Sequence, residues 1–112
     1  MKKRIVEITQ TALADMEEIY DYIADVLLAP ENAMGQYNRI ADAILTLESN
    51  PERCPFFEAE PEQSWRMRRM VIDNYLVCYI VDQDKVTVTD VLYGASNVHV
   101  RLKARHMSEP DT

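Results

Sequence analysis

The sequence predicts one α+β domain: a mostly antiparallel sheet of about four strands with an antiparallel helical hairpin packed on one face. Three observations predict it. A short alternating segment spans residues 4–9. Two helix-periodic amphipathic segments follow up to residue 49. Three β-rich segments then occupy residues 66–93, separated by Asp73-Asn74 and Gln83-Asp84, pairs suited to tight turns. The chain has 112 residues, the size of one domain with one hydrophobic core. Residues 1–106 read as that domain and residues 107–112 as a disordered tail.

In the first strand, Val6 and Ile8 share one face, with Arg4 and Glu7 at polar positions. Met1-Lys2-Lys3-Arg4 is basic, but the alternating segment after it is not the continuous apolar stretch of a secretory signal, so a cytoplasmic location is expected. Thr11 is a candidate N-cap for the first helix. Leu13, Met16, Tyr20, Ile23 and Leu27 form its apolar stripe; Asp15, Glu17, Glu18, Asp21 and Asp25 are expected on its wet face. Pro30 interrupts the pattern, and residues 28–31 read as a short connection. The second helix carries Met34, Tyr37, Ile40, Ala41, Ile44 and Leu47. It should stop near Ser49-Asn50, because the residue before Pro51 is biased away from helix. Residues 50–64, with three prolines and four glutamates, read as an irregular loop that Phe56-Phe57 pins to the core. Residues 66–72 form the next strand. Residues 75–82 are apolar on both faces, as in a central strand, and residues 85–93 alternate and are rich in β-branched side chains. Consecutive strands joined by tight turns are antiparallel. Residues 95–106 are polar and basic and suit a short helix.

Composition closes off several function classes. With only two glycines there is no Gly-rich phosphate loop, and no apolar run is long enough to cross a bilayer, so no membrane partner is expected. Cys54 and Cys78 are far apart, and Cys78 reads as a small buried hydrophobe rather than half of a disulfide. His99 and His106 lack metal-ligand spacing, so no metal and no cofactor are expected. The net charge is −7 and unevenly placed: residues 1–64 hold thirteen acids against five bases, residues 65–112 six against seven. The bases cluster at Arg66/Arg68/Arg69 and at Arg101/Lys103/Arg105, so any anion-binding surface must be local.

Four stretches in this order resemble one family. They are Ala14-Asp15-Met16-Glu17-Glu18-Ile19-Tyr20-Asp21-Tyr22-Ile23, Asn50-Pro51 closing the second helix, Arg68 to Tyr79 with its turn at Asp73-Asn74, and Val91-Leu92-Tyr93-Gly94-Ala95-Ser96-Asn97. Together they resemble the RelE/ParE superfamily of toxins over roughly residues 4–98. The resemblance implies the toxin of a bacterial type II toxin–antitoxin system, of the kind that stabilises plasmids. A cognate antitoxin would neutralise it, wrapping a disordered C-terminal segment over the sheet around Arg68 and the groove beside the helices. The implied target is DNA gyrase, as in the ParE branch. The alternatives are ribosome-bound messenger RNA cut by a metal-independent endoribonuclease, as in the RelE branch, and a non-toxic antitoxin-binding module. A homodimer is compatible with all three.

The ParE-type motif after the last strand reads like His-Gly-Ala-Arg-Asp, and here Tyr93, Ser96 and Asn97 replace its His, Arg and Asp. For a nuclease, Arg68, Arg69 and Tyr93 are the catalytic candidates: guanidinium grips phosphate, and a phenol can stack or donate a proton. For antitoxin or target binding the candidates are Arg66, Arg68, Arg101, Lys103 and Arg105. The plainer alternatives pair Arg66, Arg68 and Arg69 with the acidic loop 58–62, leave the second basic cluster on a solvated tail, and put Tyr75 and Tyr79 in packing roles.

Overall fold

Strands β1 (Ile5–Ile8), β2 (Met67–Ile72), β3 (Tyr75–Val81) and β4 (Lys85–Tyr93) form one sheet in the order β1-β4-β3-β2. This is a computed structural model, and it describes residues 3–94 and 97–107. Ala95 and Ser96 of the strand-end motif, and residues 108–112 of the expected tail, lie outside the described residues. The β2–β3 and β3–β4 pairs are antiparallel, as their tight turns require. β1 instead runs parallel to β4, so the sheet is mixed. β3 is central, and Val77, Cys78 and Tyr79 within it are fully buried. Opposite them β4 carries a bulge: Cys78 faces Asp90 and Tyr79 faces Val88, leaving Thr89 between.

Helix α1 (Gln10–Asp21) runs into a π-helical turn (Tyr22–Val26), and α2 (Pro30–Leu45) tightens into a 3₁₀ turn (Thr46–Glu48). The N-cap of α1 is Thr9, not Thr11: the Thr9 Oγ1 accepts from the Ala12 amide at 3.1 Å. β1 feeds the helix directly, so the cap falls on the first residue past the strand. Pro30 starts α2, at a position where its missing N–H costs nothing. Both inward faces are rotated from the expected stripes. Ala12, Asp15, Met16 and Ile23 are buried on the first helical stretch while Leu13 and Leu27 are exposed; Ala33, Gln36, Ile40 and Ile44 are buried on α2 while Met34 is exposed. Met16, Ile40, Ile44 and Leu47 pack on Val77, Tyr79, Val86, Val88 and Val91 of the sheet.

Tyr79 anchors the loop after α2. Its ring is fully buried, and its hydroxyl donates to the Pro51 carbonyl at 2.6 Å. Burial, and then a hydrogen bond with Cys54, raises the phenol above its ordinary pKa. Tyr79→Phe should lower the unfolding free energy by about 1–2 kcal/mol, because it strands a buried carbonyl; urea denaturation measures this.

Helix α3 (Val98–His106) covers the opposite face of the sheet. Neighbouring strand residues point to opposite faces, and Cys78 and Leu92 accordingly leave the hairpin-side core and pack with Phe57, Met67 and Leu102. The second basic cluster therefore lies on a docked helix rather than a solvated tail.

Candidate functional site

Where β1 stops, the edge of β4 is left open, because β1 pairs with β4 only as far as Val88. Asp15 closes part of that edge: its Oδ2 accepts from the Val91 amide at 3.0 Å. Arg105 then grips the same carboxylate with both terminal nitrogens, at 2.7 and 2.8 Å, and reaches Asp90 Oδ1 at 2.9 Å. His106 Nε2 lies 2.8 Å from Asp90 Oδ2. Asp15, expected on the wet face of its helix, is thus 5% exposed and part of a buried ionic network. It stands three residues from Ala12 and four from Ile19, so it belongs to the rotated inner face. The bond to Asp15 raises the Arg105 guanidinium pKa against the opposing effect of burial, and a second bond, to Asp90, adds to the rise. His99 adds a second fastening, with Nδ1 3.0 Å from Oε2 of the buried Glu62.

The first arginine cluster divides. Arg68 Nη1 donates to the Cys54 carbonyl at 2.7 Å and the Glu52 carbonyl at 3.1 Å. Its guanidinium lies 4.0 Å over the Phe56 ring, and that of Arg66 lies 4.9 Å over the same ring. These partners are carbonyls and a ring, not the carboxylates of loop 58–62. Arg69 pairs in register with Cys78, so it faces the α3 side of the sheet.

At the start of β3 and the end of β4, Tyr75 and Tyr93 form a cross-strand pair with ring centroids 5.8 Å apart. Burial, and then Tyr93, raise the Tyr75 phenol. Between this pair and the helical hairpin lies a groove of ≈ 500 Å³. Ile19, Tyr22, Ile23 and Leu27 line its helical wall, and Glu18 and Arg101 also border it. Past the tyrosines a second concavity of ≈ 470 Å³ holds Arg69, Val71 and Asn74, with Tyr93 shared between the two. Gly94 closes the turn beside it: its amide donates to the Asn74 carbonyl at 2.8 Å, and a Cβ there would crowd that oxygen at 3.3 Å.

The structure thus brings Arg69 and Tyr93 together, and Tyr93 with Arg101, but sets Arg66 and Arg68 on the Phe56 side. Lys103 is exposed on α3. The resemblance implied antitoxin binding in the groove beside the helices, but Tyr22 and Leu27 were not among the expected site residues: periodicity placed Leu27 in the apolar stripe and left Tyr22 outside it. They are instead part of an exposed apolar run at the hairpin tip: Tyr22, Val26, Leu27 and Leu28 are 54%, 62%, 56% and 81% exposed. Leu28 also adopts φ 54°, a left-handed conformation unusual for a bulky side chain. Apolar patches of this kind mark binding surfaces. Among the described residues no helix is long and apolar enough to cross a membrane.

Fold and groove define a small α+β domain with an apolar groove between a helical hairpin and the end of a four-stranded sheet. The family profile for the ParE toxin of the type II toxin-antitoxin system, parDE, matches residues 6–98, and the chain belongs to that family. The match ends at the first residue of α3. A solved structure of the chromosomal ParDE TA system from P. aeruginosa has the same fold, with TM-score 0.68 and 18% identity over 81% of this chain and 96% of that one. No curated protein matches the chain in sequence.

Proposed function

We propose that the protein arrests bacterial growth by binding DNA gyrase in the cytoplasm, and that a cognate antitoxin neutralises it by occupying the groove beside the hairpin. The family match over residues 6–98 carries this reading. The arrangement of side chains supports protein binding over acid–base chemistry. His99 and His106 are both held against buried carboxylates on the α3 side, and Arg68 is spent on two carbonyls. A net charge of −7 also opposes close approach to a polyanion. For contact with the antitoxin or the target, the exposed Arg66, Arg101 and Lys103 are available, whereas Arg68 and Arg105 are engaged within the chain. The purified protein should inhibit supercoiling by gyrase, and its induction should raise an SOS response with transcripts intact. Translation-dependent cuts in messenger RNA, with gyrase unaffected, would refute the gyrase assignment.

One observation favours the nuclease as a second reading: Arg69 and Tyr93 line one concavity beside Asn74. There a guanidinium could hold a phosphate while a phenol ring stacks on a base. If transcripts are cut, Arg69→Ala and Tyr93→Ala should abolish the cuts.

A further inference from the structure

We infer that the outer face of α3 docks on the hairpin tip of a second copy of this chain, so that two copies pair about a two-fold axis. Such pairing stands independently of the toxin reading.

Helix α3 carries two stripes. Val98, Leu102 and Arg105 recur at helical spacing and turn inward: Val98 and Leu102 pack on the sheet, and Arg105 reaches Asp15 and Asp90. Val100, Ala104 and Met107, the last at the C-cap, recur at the same spacing on the opposite side, with Lys103 beside them. Val100 and Met107 are 58% and 54% exposed, and Lys103 and Ala104 are exposed as well. Leu102 and Arg105 pin the inner face, so the outer stripe cannot turn onto the chain that carries it. An apolar stripe left in water beside charged groups marks a binding surface.

The hairpin tip is the matching surface. Tyr22, Val26, Leu27 and Leu28 form its exposed apolar run, and Glu18, Asp21 and Asp25 are exposed next to it. No lysine or arginine occurs from residue 5 to residue 38, so the charges that the tip contributes are all negative. Helix α3 is the opposite. It holds no acid, and its Arg101 and Lys103 are exposed and form no ion pair among the described residues. Apolar area with positive charge can therefore meet apolar area with negative charge. The two surfaces also adjoin, since Arg101, Tyr22 and Leu27 border one groove. Adjoining complementary surfaces can satisfy each other twice about a two-fold axis, which closes a pair instead of extending a filament. A second copy thus supplies both complements at once, whereas an unrelated acidic partner would meet α3 and leave the tip uncovered.

Sedimentation of the full chain tests this. At about 100 μM and low salt most of the chain should sediment as pairs, and added salt should weaken the pairing. Arg101→Glu/Lys103→Glu and Asp21→Lys/Asp25→Lys should each weaken it at least about tenfold. The variant combining all four changes has the net charge of the native chain and should pair again. Leu28→Asn should also weaken pairing. It should fold at least as well, because asparagine accepts the left-handed backbone at φ 54° better than leucine does. Circular dichroism checks that each variant is folded. A chain that stays monomeric, pairing that none of the variants weakens, or a combined variant that stays apart would overturn the inference. So would tighter pairing of Asp21→Lys/Asp25→Lys, the result expected if only the net negative charge mattered. A monomeric chain whose binding to gyrase falls in Arg101→Glu/Lys103→Glu would give the outer face of α3 to the target and also overturn the pairing.

Discussion

Replacing Asp15 with alanine is expected to lower the unfolding free energy by about 3–5 kcal/mol, the largest effect of any single polar substitution in the chain. The carboxylate ties three elements together. It sits on α1, accepts from the β4 amide of Val91, and holds Arg105 of α3 through two bonds. Its loss leaves that amide without its partner and Arg105 with Asp90 alone. Arg105→Met should cost about as much, because Asp15 and Asp90, 6% and 0% exposed at their side chains, would lose their shared cation. The two losses should not add, since both variants break one network. Urea denaturation of the two single variants and the double variant measures this. A cost below about 1 kcal/mol for either single variant would place the pair among solvent-screened surface bridges and contradict the network.

Truncating Leu102 to alanine is expected to cost about 2–5 kcal/mol and to open the α3 face. Leu102 is fully buried against Phe57, Met67, Cys78 and Leu92, and is the one residue of α3 that is wholly covered. Cys78 beneath it reports the event. Burial, and then the nearby Asp90, raise its thiol well above the ordinary range, so the thiolate that reacts is scarce in the folded protein. A thiol reagent should label the half-buried Cys54 of the native chain and leave Cys78 intact. In Leu102→Ala, and in Arg105→Met, Cys78 should label faster. Unchanged labelling of Cys78 alongside the loss of stability would mean that α3 stays docked and the cost is cavity alone.

Much of this architecture is legible in the sequence for definite reasons. The β2–β3–β4 meander follows from turn residues at Asp73-Asn74 and Gln83-Asp84, and the central place of β3 from its continuous apolar run. The parallel placement of β1 is not legible: alternation marks a strand but carries no information about which neighbour it joins. The helical stripes were rotated because small Ala12 and Ala33 and polar Asp15 and Gln36 take inner positions that a pattern of large apolar residues overlooks. Asp15 and Arg105 lie ninety residues apart, and nothing in either local sequence announces the other. The resemblance pointed to the groove beside the helices, but its lining residues were hidden for a similar reason. Leu27 looks like a core residue and Tyr22 falls outside the stripe, and only the ends of β3 and β4 show that the space beside them is open.

Growth on induction is the direct test of the toxin reading. The chain is expressed alone in bacteria, and then together with each reading frame that adjoins its gene. Growth should stop in the first case and resume in the second. Normal growth on induction of the folded, soluble chain would contradict it.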